Sequence, residues 1–572
     1  MLTVETLLEG AELSKAHECP FWPPDLFAIT GALLKRTGAY VALFEPRKRR
    51  GYLSDVVSLG KQWRENIDRL KRPTRRNLAL ARPDQLKKAW DELYQQRSRP
   101  ISEISDLRGL KKQLIRMTLI ADEASAGIGV DWDNGTDDDG RPIESTFLSL
   151  AEQVKVKRGL RTFGWEVSPD VVCVLGKQHT PQVGATFRSL SHHLSLYLPS
   201  DIRARWYGPY KHWQASRNSS ARLNLLLLPW PEEIESADFS EVPDSVVAGR
   251  RLRSNSDDDS PGYFRFRPKV VPTPREFEGT LRRALTTARE HTNQIDAVVF
   301  PEAVLTFEHY RIAERIAVEQ HVILICGMRG MARGQDRDIN LCVIQPAGAV
   351  LRENDGAGRA ERRLFVGQLR LMQAKHHRWC LNRDQLVAYQ LAGQLSIARN
   401  WWENIVLEER ELHFLTLNRL TWSVLICEDL ARQDPAADLI RAVGPNILIA
   451  LLMDGPQKKE RWAARYASVL AEDPGSSVLS ITSLGMAKRS RPFLRSTGQR
   501  AEPSRVIALW RDQVNGEVEI CLDEKENACV LSLECKRRKE YSADGREDRS
   551  QSRYPIFAGF KSFQVRVPSK SE

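Results

Sequence analysis

From Leu223 onward the chain repeats one hydrophobic pattern: a short apolar run, a polar turn, then a stretch whose apolar positions recur every three to four residues. The runs are L-N-L-L-L-L from Leu223, I-D-A-V-V-F from Ile295, H-V-I-L-I-C from His321, N-L-C-V-I-Q from Asn340 and W-S-V-L-I-C from Trp422. They continue with N-I-L-I-A-L-L from Asn446, S-V-L-S-I-T from Ser477, R-V-I-A-L-W from Arg505 and V-L-S-L-E-C ending at Cys535. Runs this continuous read as strands buried on both faces. The stretch from Pro274, with Phe277, Leu281, Ala284 and Ala288 on one face, reads as an amphipathic helix between two of them. Strands alternating with such helices predict a layered α/β domain over 221–540.

Before Leu223 the pattern differs. Residues 1–217 read as a separate, basic, mixed α+β module, with a helical face of Leu107, Leu110, Leu114, Met117 and Ile120 and a strand D-V-V-C-V-L from Asp170. Charge blocks and Pro-Gly from Arg250 predict a flexible insertion over about 232–274. The charged stretch starting near Lys536 predicts a polar tail over 541–572.

At 572 residues the chain exceeds one ordinary core, in keeping with several domains. No window holds enough uninterrupted apolar residues to span a bilayer, and the first residues lack the basic and apolar regions of a signal peptide. Nine scattered cysteines without a C-x-x-C pair exclude a disulfide framework and a zinc ribbon and predict a cytoplasmic protein. The net charge of +11 admits nucleic acid as a partner. The basic segments containing Arg47–Arg50 and Arg69–Arg76 have few aromatic neighbours, however, and read as solvated faces. The acidic run from Asp131 lacks the calcium-loop spacing, and His179, His192 and His193 lack metal-helix spacing. No phosphate-binding loop occurs, so neither metal nor cofactor is expected.

Three reactive side chains stand where apolar runs end. Glu302 closes V-V-F-P-E, Lys375 closes L-M-Q-A-K and Cys427 closes V-L-I-C, before a helix that opens E-D-L. Brought together, they form a machine for acyl chemistry. Glu302 takes the thiol proton and Cys427 attacks a carbonyl or nitrile carbon. Lys375 and the backbone N–H of Glu428 stabilise the oxyanion, and the lysine charge favours a thiolate. Taken alone, the Cys427 window reads more readily as a core cysteine than as a nucleophile.

The motifs F-P-E-A at Phe300, K-H-H at Lys375 and L-I-C-E-D-L at Leu425, in that order and spaced 73 and 52 residues, resemble those of the carbon–nitrogen hydrolase (nitrilase) superfamily. The likeness spans about Leu223–Arg537. It implies a four-layer αββα sandwich, a Glu302–Lys375–Cys427 triad, a small amide or nitrile substrate and homodimers formed through helices. It also implies a second acid between lysine and cysteine. Of Asp384 and Glu403, Asp384 is expected, lying nine residues after Lys375. Glu428 stands where relatives often carry Tyr or Trp. Hydrolysis through a thioester is the expected activity, with residues 1–217 regulating or recruiting. Transfer of the acyl group or of ammonia, and a binding or defence-associated protein on an inactive scaffold, are the alternatives.

Overall fold

The computed structural model describes the chain except residues 1–2, 14, 45–54, 105–106, 130–144, 179–185, 200, 209–221, 244–260, 347–370, 418–419, 433, 495–497, 538, 548–552 and 567–572. The basic run Arg47–Arg50, the acidic run from Asp131, His179 and the charge blocks from Arg250 lie outside the described residues.

Two seven-stranded sheets organise the molecule. The first runs, edge to edge, Leu371–Ala374, Asp338–Gln345, Ile323–Met331, Ala297–Val299, Arg222–Leu227, Ala528–Arg537 and Arg553–Phe563. Its centre is parallel and its flanks antiparallel. Alternation of side chains assigns its two faces. Leu225, Leu227, Ala297, Val299, Ile323 and Ile325 join the core shared with the second sheet. Leu226, Val298, Leu324 and Cys326 pack with Phe277, Leu281, Ala313 and Ile316 of two helices, Pro274–Thr292 and Phe307–Glu319. The first of these helices starts where Thr273 and Glu276 form a capping box, which satisfies backbone donors at its N-terminus.

The second sheet runs Gly516–Cys521, Val506–Asp512, Ser477–Ile481, Ile447–Leu451, Leu420–Ile426, Glu411–Leu417 and Arg203–Tyr207. Side-chain hydrogen bonds stitch the sheets together: Gln373 donates to Val424 O (3.0 Å), Asn446 to Arg553 O (2.9 Å) and Ser477 to Pro555 O (2.6 Å). Helices Ala436–Val443 and Trp462–Glu472 contribute Leu439, Ile440, Val443, Ala467 and Leu470 to the core around the second sheet.

Three expectations change. First, residues 1–217 do not form a core of their own: one apolar cluster runs from Val4 through Trp206 into both sheets. Strand Arg203–Tyr207 pairs in parallel with Glu411–Leu417, and Arg205 grips Glu411 through two bonds of 2.6 and 2.7 Å. Gln178 N–H donates to Val443 O (3.0 Å), so the helix ending there already has a partner within the chain. Second, the expected tail is structural. Arg553–Phe563 adds an edge strand, with Ile556 and Phe563 buried. Its charged flanks hide the apolar Y-P-I-F-A-G-F that makes it a strand.

Third, the described ends of the 232–274 insertion are ordered into a small sheet. Phe239–Val242 pairs with Gly262–Phe266, which pairs with Trp401–Glu403, and that in turn with Cys380–Leu381. Its inner strand Trp401–Glu403 closes on Glu403, which reaches the strand ends described next. All nine cysteines are free thiols, and no described helix is long and apolar enough to cross a membrane.

Candidate active site

Each reactive side chain is delivered by the end of a strand. After Ala297–Val299 the chain turns through Pro301, and Ala303 adopts φ 54°, rare for a residue with a Cβ. The turn lies on Gly327, whose N–H donates to Pro301 O (3.1 Å). A Cβ on Gly327 would sit 2.5 Å from Glu302 Cα, Pro301 O and Ala303 N, so only glycine lets the Glu302 turn dock this closely. Lys375 follows strand Leu371–Ala374, and its N–H donates to Asn340 O (3.0 Å) on the neighbouring strand.

The lysine ammonium is fully buried between two carboxylates. Its Nζ lies 2.7 Å from Glu302 Oε1 and 2.7 Å from Glu403 Oε2. The second acid is therefore Glu403, not the expected Asp384. Asp384 is exposed in the first turn of helix Arg383–Ala388, favouring that helix N-terminus. Proximity in sequence misled because residues 380–400 form a strand and a helix before the chain returns to the site. The W-W-E ending at Glu403 repeats the strand-end-acid pattern of V-V-F-P-E and was the available signal. Glu403 is held further by Trp379 N–H (3.2 Å) on its carboxylate and by Arg378 (2.8 Å) on its carbonyl.

Cys427 closes Leu420–Ile426 in a tight elbow (φ 46°, ψ −105°) that opens the short helix Glu428–Ala431. A non-glycine residue held there stores strain. Its N–H donates to Leu451 O (2.8 Å), fixing the elbow to the next strand. Burial, then the Glu302 carboxylate and Asp454, push the thiol well above its usual range, against Lys375 and the Met453 N–H. This environment favours the thiol form of the sulfur over the thiolate expected beside a lysine.

Glu302 is suited to be a base. Burial raises it above the ordinary carboxylate range, as does Glu403, against Lys375 and Asn340. Burial alone would lower Lys375, but Glu302 and Glu403 outweigh it, so the ammonium stays charged. Glu302 Oε1 is taken by Lys375 and Asn340, whereas the buried Oε2 has no hydrogen-bond partner.

Asp429 links the lysine and cysteine segments. This fully buried carboxylate accepts the N–H groups of His376 (3.0 and 3.1 Å) and His377 (3.0 Å), and contacts His377 Nδ1 at 2.9 Å. The histidines are anchors: His376 is buried, with Nε2 at 2.9 Å from Glu411 O. Since Arg205 grips Glu411, the N-terminal part of the chain reaches the lysine segment through one strand. Glu428 pairs with Arg432 on the helix surface, leaving its backbone N–H as the group of interest. Near the sulfur, Asp454 is saturated by Tyr389, Arg461 (2.8 and 2.9 Å) and Trp462 (2.8 Å). No group of metal-ligating residues occurs among the described residues.

No family model and no curated protein matches the sequence. Among solved structures, the chain is similar to Saccharomyces cerevisiae Nit3, a member of branch 10 of the nitrilase superfamily, at 12% identity and TM-score 0.30, covering 55% of this chain and 90% of that one. It is similar to a carbon–nitrogen hydrolase from Helicobacter pylori at 10% identity and TM-score 0.31, covering 55% and 90%. It is also similar to an amidase from Nesterenkonia sp. at 10% identity and TM-score 0.30, again covering 55% and 90%.

Proposed function

We propose that this chain is a carbon–nitrogen hydrolase that cleaves a small amide through a thioester on Cys427. One observation carries the reading: a buried Glu302–Lys375–Glu403 cluster in which Glu302 keeps one oxygen without a hydrogen-bond partner. In the first step Glu302 accepts the thiol proton as sulfur bonds to the substrate carbonyl carbon. The carbonyl π pair moves to oxygen, and the oxyanion is met by the Lys375 ammonium and the Glu428 N–H. Collapse breaks the carbon–nitrogen bond, and the proton held on Glu302 leaves with the amine. Water then adds to the thioester with Glu302 again as base, releasing the acid and restoring the thiol.

Lys375, flanked by two carboxylates, stays protonated throughout and acts by charge. Glu403 holds it in place. The buried site supplies low dielectric, in which these charges act more strongly than in water. Residues 1–208 bear on this site through Arg205 and Glu411, which supports a regulating or positioning role for them.

The test is incubation with a panel of primary carboxamides and nitriles, read as ammonia release and as an acyl adduct on the Cys427 peptide by mass spectrometry. A carboxamide giving both in the wild type and neither in Cys427→Ala is expected. Ammonia release undiminished in that variant would sink the reading.

A further inference from the structure

We infer that Asn340 is the positioning residue of this site, a neutral double donor that holds Glu302 and Glu403 apart while leaving the second oxygen of Glu302 free. The inference rests on the base role of Glu302 proposed above. Asn340 is buried on strand Asp338–Gln345 between the two acids. Its Nδ2 donates to Glu302 Oε1 (2.8 Å) and to Glu403 Oε1 (2.8 Å), and its backbone oxygen accepts from Lys375 N–H (3.0 Å). One residue thus touches all three charged members of the cluster.

The chemistry needs such a residue. Two carboxylates around one ammonium carry a net negative charge in a buried site, and each disfavours ionisation of the other. The lysine alone cannot separate them, because it contacts Glu302 Oε1 and Glu403 Oε2 and leaves the other two oxygens uncommitted. An amide donating two N–H bonds supplies positive edge without adding charge. By occupying Oε1 of Glu302 it leaves Oε2 as the sole open acceptor of that carboxylate. The charged or titratable groups acting on Glu302 are Lys375 and Glu403, with the Cys427 thiol coupled to it across the site. An aspartate in place of Asn340 would keep the volume, remove both donors and add a third carboxylate.

The experiment reads base function without needing the substrate. Iodoacetamide alkylates Cys427 as a carbon–sulfur bond forms, iodide leaves and the thiol proton passes to the base. The rate at Cys427, followed by peptide mass spectrometry across pH, is compared among wild type, Asn340→Ala, Asn340→Asp, Glu302→Gln and Cys427→Ala, with circular dichroism reporting folding. Removing the donors disfavours ionised Glu302. The acid limb of the profile is therefore expected to move up by about one pH unit in Asn340→Ala, a loss of about tenfold at pH values below the limb. It should move further in Asn340→Asp. A limb abolished by Glu302→Gln yet unmoved in both folded Asn340 variants overturns the positioning role. A limb indifferent to Glu302→Gln overturns the base reading instead.

Discussion

Two buried charge clusters in this molecule look alike in composition and differ in what they leave open. Around Lys375, two carboxylates and an amide converge, yet Glu302 keeps one oxygen with no partner. Around Arg546, Asp122 accepts the N–H groups of His192 (2.7 Å), His193 (2.9 Å) and Leu194 (2.9 Å), and Arg546 also reaches Asp544 (2.8 Å) and Glu123 (2.9 Å). Burial opposes the charge of Asp122, but Arg546 and these donors prevail and hold it below the usual carboxylate range. Glu302, with fewer donors, moves the other way. A saturated cluster fastens two parts of the chain. An unsaturated one keeps an acceptor open, and leaving it unfilled costs about 1–3 kcal/mol of stability.

This contrast is open to experiment. Asp122→Ala removes one of the carboxylates paired with Arg546 and leaves three N–H groups, two of them buried, without that acceptor. It should cost about 3–5 kcal/mol in urea unfolding. In the wild type the Asp122 contribution is present above the unfolded carboxylate pKa near 3.9 and is lost as pH falls through its depressed folded value. Glu302→Gln should cost less stability than that, because Glu403 still pairs Lys375, but should slow alkylation of Cys427 by about a hundredfold or more. If the Glu302 change unfolds the protein as readily as the Asp122 change, the distinction between fastener and machine fails.

Smaller effects refine it. Gly327→Ala forces a methyl into the Glu302 turn and should cost about 1–3 kcal/mol in overpacking, with alkylation falling more than stability does. On the base role proposed for Glu302, whose pKa is raised, the alkylation rate should climb with pH and level off only above the ordinary carboxylate range. A plateau already reached near pH 4.3, the unperturbed glutamate value, would contradict the environment described. Asp384→Ala, at an exposed helix start, should change neither rate nor stability measurably.

The reactive strand ends were readable because a buried strand announces itself by an unbroken apolar run, and the first polar residue after it must lie at a sheet edge. Glu302 and Cys427 satisfy that rule locally, and Lys375 ends a strand whose run is broken once, by Gln373. The rule fails where the information lies across strands. Asn340 sits within a strand and looks like an ordinary polar interruption; only its register beside Lys375 and between two acids makes it a donor to both. Asp429 reads as a first-turn carboxylate favouring its own helix, while in the fold it turns inward to the His376–His377 backbone.

By itself, then, the sequence determined the layered α/β pattern, the strand ends carrying carboxylate, amine and thiol, and the amphipathic helix from Pro274. Those follow from local periodicity, which short stretches of chain encode completely. Only the tertiary structure decided that Glu403 rather than Asp384 completes the lysine cage, that Arg553–Phe563 is a strand, and that residues 1–208 share one core with the rest. Each of those depends on pairing between segments far apart in the chain. Such pairing is settled by which buried polar groups can all be satisfied at once, and no single stretch of sequence carries that condition.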